Sequence, residues 1–158
     1  MNFLNKLFGK NDKVKSYRSR DNISIETDER YDASMSGDFN RMLKHLYEKG
    51  DPIDTHFLYL NLIRSLYSRR KEPDARTLFK KLAIEHIEKF DIIRGPLLKD
   101  MGVLSQVLTF QYLATVYTED NEYEKAIAVC EKAFSFGLND GTKSSYEGRI
   151  NRIKKKMQ

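Results

Sequence analysis

Residues 110–138 read FQYLATVYTEDNEYEKAIAVCEKAFSFGL, and this stretch decides the predicted fold. Its first half carries apolar residues at helical spacing, at Phe110, Leu113, Ala114 and Tyr117. Its second half repeats that spacing, at Tyr123, Ala126, Ile127, Cys130, Ala133 and Phe134. Such spacing places the apolar side chains on one face of an α-helix. The short polar turn at residues 119–121 therefore predicts two antiparallel helices that pack as a hairpin.

Similar apolar stripes occur on both sides of this hairpin. Three precede it, beginning near Phe39, at residues 55–70 and at residues 75–90, and one follows it from Ser144. Asp51 followed by Pro52 is typical of a cap and the first position of a helix, and residues 72–74, Glu-Pro-Asp, are expected to break the chain and cap the next helix. Gly95 and Pro96 are expected to end the third helix, and Ser144 with Glu147 fits a capping box. The body is therefore predicted to be all-α, with about six helices arranged as stacked antiparallel hairpins.

The 110–138 stretch resembles a tetratricopeptide repeat, through the aromatic Phe110, the pair Leu113 and Ala114, and the small residues Ala126 and Ala133. A fainter copy starts at Tyr59, 51 positions earlier. The resemblance implies an α-solenoid with a concave groove that holds a segment of a partner protein. By this analogy, the groove residues are Arg64, Tyr67, Gln111, Thr115 and Thr118.

The N-terminal part has a different character. Residues 1–10 predict a short amphipathic helix, residues 11–34 a polar flexible linker, and residues 35–158 the helical domain. The apolar face of the short helix consists of Phe3, Leu4, Leu7 and Phe8. Basic residues follow it, so it could lie on an anionic membrane surface. It could equally dock on a partner or on the protein's own body.

Charge is concentrated at the two ends of the chain. Residues 1–20 contain six Lys and Arg against Asp12, and residues 142–158 contain six against Glu147. The formal net charge of the whole chain is only +5, so the region between is acidic. The basic last helix suggests nucleic-acid binding as an alternative function. Few aromatic residues for base stacking lie nearby, which counts against this alternative.

No pattern of catalytic, cofactor-binding or metal-ligating residues is found. His45, His56 and His86 lack partners at metal-ligand spacing, and His86 is expected to pack at a helix edge. Cys130 lies on an apolar stripe and is expected to be a buried, inert thiol. A single cysteine and the lack of a long apolar run favour a reducing cytoplasm, with the membrane periphery as a second possibility. The sequence therefore predicts a protein-binding adaptor that is not an enzyme.

Overall fold

The computed structural model describes residues 14–158, which form a two-stranded antiparallel hairpin followed by seven helices. Helices account for 67% of these residues, so the predicted mainly helical class is confirmed. The strands are β1 (Tyr17–Arg20) and β2 (Ile23–Glu26). The helices are α1 (Glu29–Met35), α2 (Phe39–His45), α3 (Pro52–Ser68), α4 (Pro73–Met101), α5 (Leu108–Glu119), α6 (Tyr123–Ser135) and α7 (Ser145–Lys156).

Two helical pairs form the centre of the fold. Helix α3 packs along α4, and α5 packs along α6, while α4 and α3 both contact α5. Helix α7 packs on α6 at one end, and α1 and α2 pack on α3 at the other. Asp51 caps α3, because its Oδ1 accepts hydrogen bonds from the backbone N–H groups of Ile53 and Asp54, at 2.7 and 3.1 Å.

Small residues lie where α5 and α6 approach each other. Ala114, Ala126, Ala133 and Cys130 have no solvent exposure. The prediction that Cys130 is buried is therefore confirmed. A methyl group lets two helix backbones come close, so these positions keep the pair tightly packed.

Three phenylalanines hold the helical pairs together. The ring centroid of Phe90 on α4 lies 5.5 Å from that of Phe110 on α5 and 5.0 Å from that of Phe136, just after α6. Both contacts are edge-to-face, a favourable geometry for aromatic rings. We call these three residues the aromatic triad.

The segment expected to be a flexible linker differs from that expectation wherever the structure describes it. Residues 17–26 form the β-hairpin, and α1 lies within the expected linker except for its last residue, Met35, so an ordered N-terminal layer precedes α2. Ile23 and Ile25 belong to β2, whose partner β1 includes Arg18 opposite Ile25 and Arg20 opposite Ile23. The predicted helix at residues 1–10, with Phe3, Leu4, Leu7 and Phe8, lies outside the described residues.

Two predicted helix boundaries are wrong. Helix α4 continues through Gly95 and Pro96 to Met101 and ends at Gly102, whose φ of +75° suits glycine. A proline costs a helix one hydrogen bond, and the buried side chain of Leu97 packs in the core directly after it. The capping box at Ser144 is not formed, because the Ser144 hydroxyl makes no cap hydrogen bond and instead accepts one from Arg152.

Candidate partner-binding face

A cavity of about 370 Å³ lies between helices α5 and α7. The residues that line it are Thr115, Thr118, Glu119, Arg149, Arg152, Ile153 and Lys156. We call it the α5–α7 cavity. It contains two of the five predicted groove residues, Thr115 and Thr118. The basic residues of α7, which in the sequence suggest nucleic-acid binding as an alternative function, provide three cations of this cavity.

The other three predicted groove residues lie elsewhere along α3 and α5. Arg64 lines a separate cavity of about 380 Å³ between α3 and the α1–α2 segment. Tyr67 stacks on Tyr112 of α5, with ring centroids 3.9 Å apart and ring planes 3° from parallel. The side-chain oxygen of Gln111 accepts a hydrogen bond from the Gln106 amide at 3.0 Å. The five residues therefore do not share one cavity.

Arg149 is held in place at the back of the α5–α7 cavity. Its Nε lies 2.9 Å from Oδ2 of the buried Asp140, and its Nη1 donates to the Thr115 hydroxyl oxygen at 3.2 Å. Burial by itself raises the pKa of Asp140, but hydrogen bonds from Thr142 and Arg149 outweigh it and lower the pKa. Asp140 therefore stays ionised and orients Arg149 toward α5.

Arg152 and Lys156 are the exposed cations of the cavity. Arg152 donates to the Ser144 hydroxyl at 3.2 Å, and within residues 14–158 neither Arg152 nor Lys156 forms an ion pair. They lie four positions apart on α7, so both project from the same helix face. Their charges are therefore available to an anionic group from outside.

A network of ion pairs adjoins the cavity and joins the α3–α4 connection to the α5–α6 turn. Its members are Arg70–Glu119, Arg76–Glu119, Arg76–Asp120, Lys80–Asp120 and Lys80–Glu122, with N···O distances of 2.5–3.2 Å. Because Glu119 already binds two arginines, it offsets little of the positive charge in the α5–α7 cavity.

A buried polar chain crosses the three central helices. His56 Nδ1 on α3 lies 3.0 Å from His86 Nε2 on α4, and His86 Nδ1 lies 2.8 Å from the Thr109 hydroxyl on α5. Burial lowers the pKa of His56 to about 4, and burial together with the nearby His56 lowers that of His86 well below its usual value. The expectation that His86 packs at a helix edge is wrong, because its side chain is buried. Its position on the apolar stripe at residues 75–90 could have indicated this burial.

The two neutral histidines predict a pH-dependent stability. Below about pH 6.5 the unfolded chain binds protons at His56 and His86, whereas in the folded chain the pKa of His56 is lowered to about 4 and that of His86 lies well below its usual value. The contribution of these two histidines to the free energy of unfolding is therefore fully present above pH 6.5. It is lost as the pH falls from 6.5 toward 4, by about 1.4 kcal/mol per pH unit for each histidine. Urea unfolding at several pH values measures this slope.

A matched pair of variants assigns the slope to the buried chain. His56→Gln is expected to remove one histidine's share of it. His45→Gln is the control, because His45 pairs with Glu48 and does not belong to the buried polar chain of His56, His86 and Thr109. Equal slopes in His56→Gln and the unaltered protein would contradict this account.

Comparison with protein-family models, with curated proteins and with solved structures finds no match to this chain. Within residues 14–158, no helix has both the length and the apolar character needed to cross a bilayer. Over the same residues, no group of three or more His, Cys, Asp or Glu side chains is placed to hold a metal ion.

Proposed function

We propose that this protein is a binding module of the tetratricopeptide type, which receives a segment of a partner protein on the face formed by α3, α5 and α7. In this proposal, α3–α4 and α5–α6 are successive repeats and α7 begins a third. The first helix of each repeat then lies on one side of the molecule. Buried alanines between α5 and α6 support this reading, because that family relies on close helix approach at such positions.

The α5–α7 cavity is the observation that carries the proposal. It lies between two first helices and combines hydroxyl groups, guanidinium groups and the apolar side chain of Ile153. Peptide-binding grooves use this mixture, since polar groups orient the bound chain and apolar contacts contribute much of the affinity. The proposal includes no catalytic step, and the buried His56 and His86 line neither of the two cavities described above.

Site-specific photocrosslinking in cells that naturally express the protein tests this function. A photoreactive amino acid at Gln111 on α5 or at Arg64 on α3 is expected to form adducts with a partner protein. The same group at Glu88 on α4 or Ala128 on α6 is the control, since both side chains are exposed on the second helices.

The proposal requires adducts that depend on position. Partner-derived peptides attached at Gln111 or Arg64, and absent from both control positions, are the expected result. Equal adducts at all four positions, or none at any, would contradict the proposal. Circular dichroism of each variant confirms that the helices are intact.

A further inference from the structure

The α5–α7 cavity is rich in positive charge. Three cationic side chains, Arg149, Arg152 and Lys156, line it together with a single carboxylate, that of Glu119. That carboxylate is bound by Arg70 and Arg76, at 3.1 and 3.2 Å. The field inside the cavity therefore attracts anions, and it is stronger in a concave site than on an open surface.

The three cations have different roles. Arg149 is fixed by Asp140 and Thr115, so it can offer a bound group a guanidinium that is already oriented. Arg152 and Lys156 are exposed and form no ion pair within residues 14–158. Their side chains can turn toward an incoming carboxylate without breaking a salt bridge.

One wall of the cavity is apolar. Ile153 belongs to the cavity lining and is 4% exposed. The methyl groups of Thr115 and Thr118 are on the facing helix, since both hydroxyls donate to backbone carbonyls of α5, at 2.8 and 2.7 Å. An apolar side chain next to an acidic one would therefore fit the cavity better than a string of charges alone.

We infer that the α5–α7 cavity binds an acidic segment of a partner protein, whose carboxylates pair with Arg152 and Lys156 while a neighbouring apolar side chain contacts Ile153. This inference rests on the proposed binding function and adds the chemistry of the partner. It assigns the basic face of α7 to a peptide rather than to nucleic acid.

Two observations favour a peptide over nucleic acid. Tyr146, the aromatic residue of α7, is fully buried, so this helix offers no ring on which a base could stack. Ile153 and the methyl groups of Thr115 and Thr118 suit an apolar side chain, which a sugar–phosphate backbone does not supply. The outward Lys154 and Lys155 do not line the cavity, so they provide a control on the same helix.

Selection from a displayed library of random peptides, with the full-length protein as bait, tests the inference. The unaltered chain is expected to enrich sequences that contain Asp or Glu beside an apolar residue. The double variant R152E/K156E is expected to bind an enriched peptide at least about tenfold more weakly by fluorescence anisotropy. The control K154E/K155E has the same charge change and is expected to alter the affinity less than about twofold.

Competition separates the possible ligands. Neither single-stranded RNA nor duplex DNA should displace the enriched peptide at near-physiological salt. Displacement by either probe, with weaker nucleic-acid binding by R152E/K156E, would overturn the inference in favour of nucleic acid. Equal loss in both double variants would overturn it as well, because the effect would then come from net charge alone.

Failure of this inference differs from failure of the proposed function. Enrichment of peptides without acidic residues, or of none, would overturn the acidic partner. Position-dependent crosslinks at Gln111 and Arg64 would still support the binding module in that case. Loss of both results would remove the two together.

Discussion

Phe90→Ala is expected to lower the free energy of unfolding by about 3–5 kcal/mol, one of the two largest effects predicted for a single substitution in this protein. Phe90 is 1% exposed and makes edge-to-face contacts with Phe110 and Phe136. Its removal leaves a cavity where α4, α5 and the end of α6 meet, and it also breaks two aromatic contacts. Urea denaturation followed by circular dichroism measures the change.

Phe134→Ala is the matched control for this prediction. Phe134 belongs to α6 but is 64% exposed, so the same truncation removes little buried surface. We expect a change of less than about 0.5 kcal/mol. Similar losses in the two variants would mean that the aromatic triad does not hold the helical pairs together.

Asp54→Asn is expected to destabilise the protein by about 3 kcal/mol and to release the β-hairpin from α3. The Asp54 side chain is 1% exposed and pairs with Arg18 at 2.7 Å and Arg20 at 2.5 Å. Arg18 is itself buried, with its side chain 5% exposed. Asparagine would leave both guanidinium groups without a buried counter-charge, so they would move toward water and carry the hairpin with them.

Hydrogen exchange separates release of the hairpin from global unfolding. The backbone amides of β1 and β2 should exchange faster in Asp54→Asn than in the unaltered protein. The exchange rates of the amides in α5 and α6 should change only as much as the loss of global stability requires. Asp28→Asn is the control, because Asp28 lies 3.9 Å from Arg18 but is half exposed, and asparagine also caps a helix well. Equal exchange of the hairpin in both variants would contradict the role of Asp54.

The apolar periodicity was sufficient to predict the central helices. The positions of Ala126, Cys130 and Ala133 defined the buried face of α6, and all three are fully enclosed. Local spacing contains this information because residues three and four apart share a helix face. Local spacing does not show whether a helix ends at Gly95 and Pro96, because that depends on whether the side chain of Leu97 can pack in the core.

The β-hairpin could not be predicted from its own residues. Arg18 and Arg20 are charged, and their neighbours suggested a linker that buries too little surface to be ordered. Both arginines pair with the carboxylate of Asp54, which lies 34 positions after Arg20 in the sequence. A sequence pattern does not show which distant charge will be adjacent in the fold.

The candidate site was predicted in part for a similar reason. Thr115 and Thr118 were placed on the groove face by analogy with a repeat. Their neighbour Arg149 belongs to α7, which is separated from α5 in the sequence by the whole of α6. Local spacing does not show that these two helices lie side by side. The buried contact between His56 and His86 likewise joins residues 30 positions apart.

The β-hairpin contacts the α3–α4 pair at two separate points. At the first point, Arg18 and Arg20 form ion pairs with Asp54 in the first turn of α3. At the second, Asp21 forms an ion pair with Lys99, and its backbone N–H donates to Asp100 Oδ1 at 2.7 Å, near the last turn of α4. A body attached at two points cannot pivot about either one. Both points lie toward the end of the α3–α4 pair that is far from the connection between the two helices, because the helices run antiparallel. A pull applied to the hairpin would therefore be shared between α3 and α4.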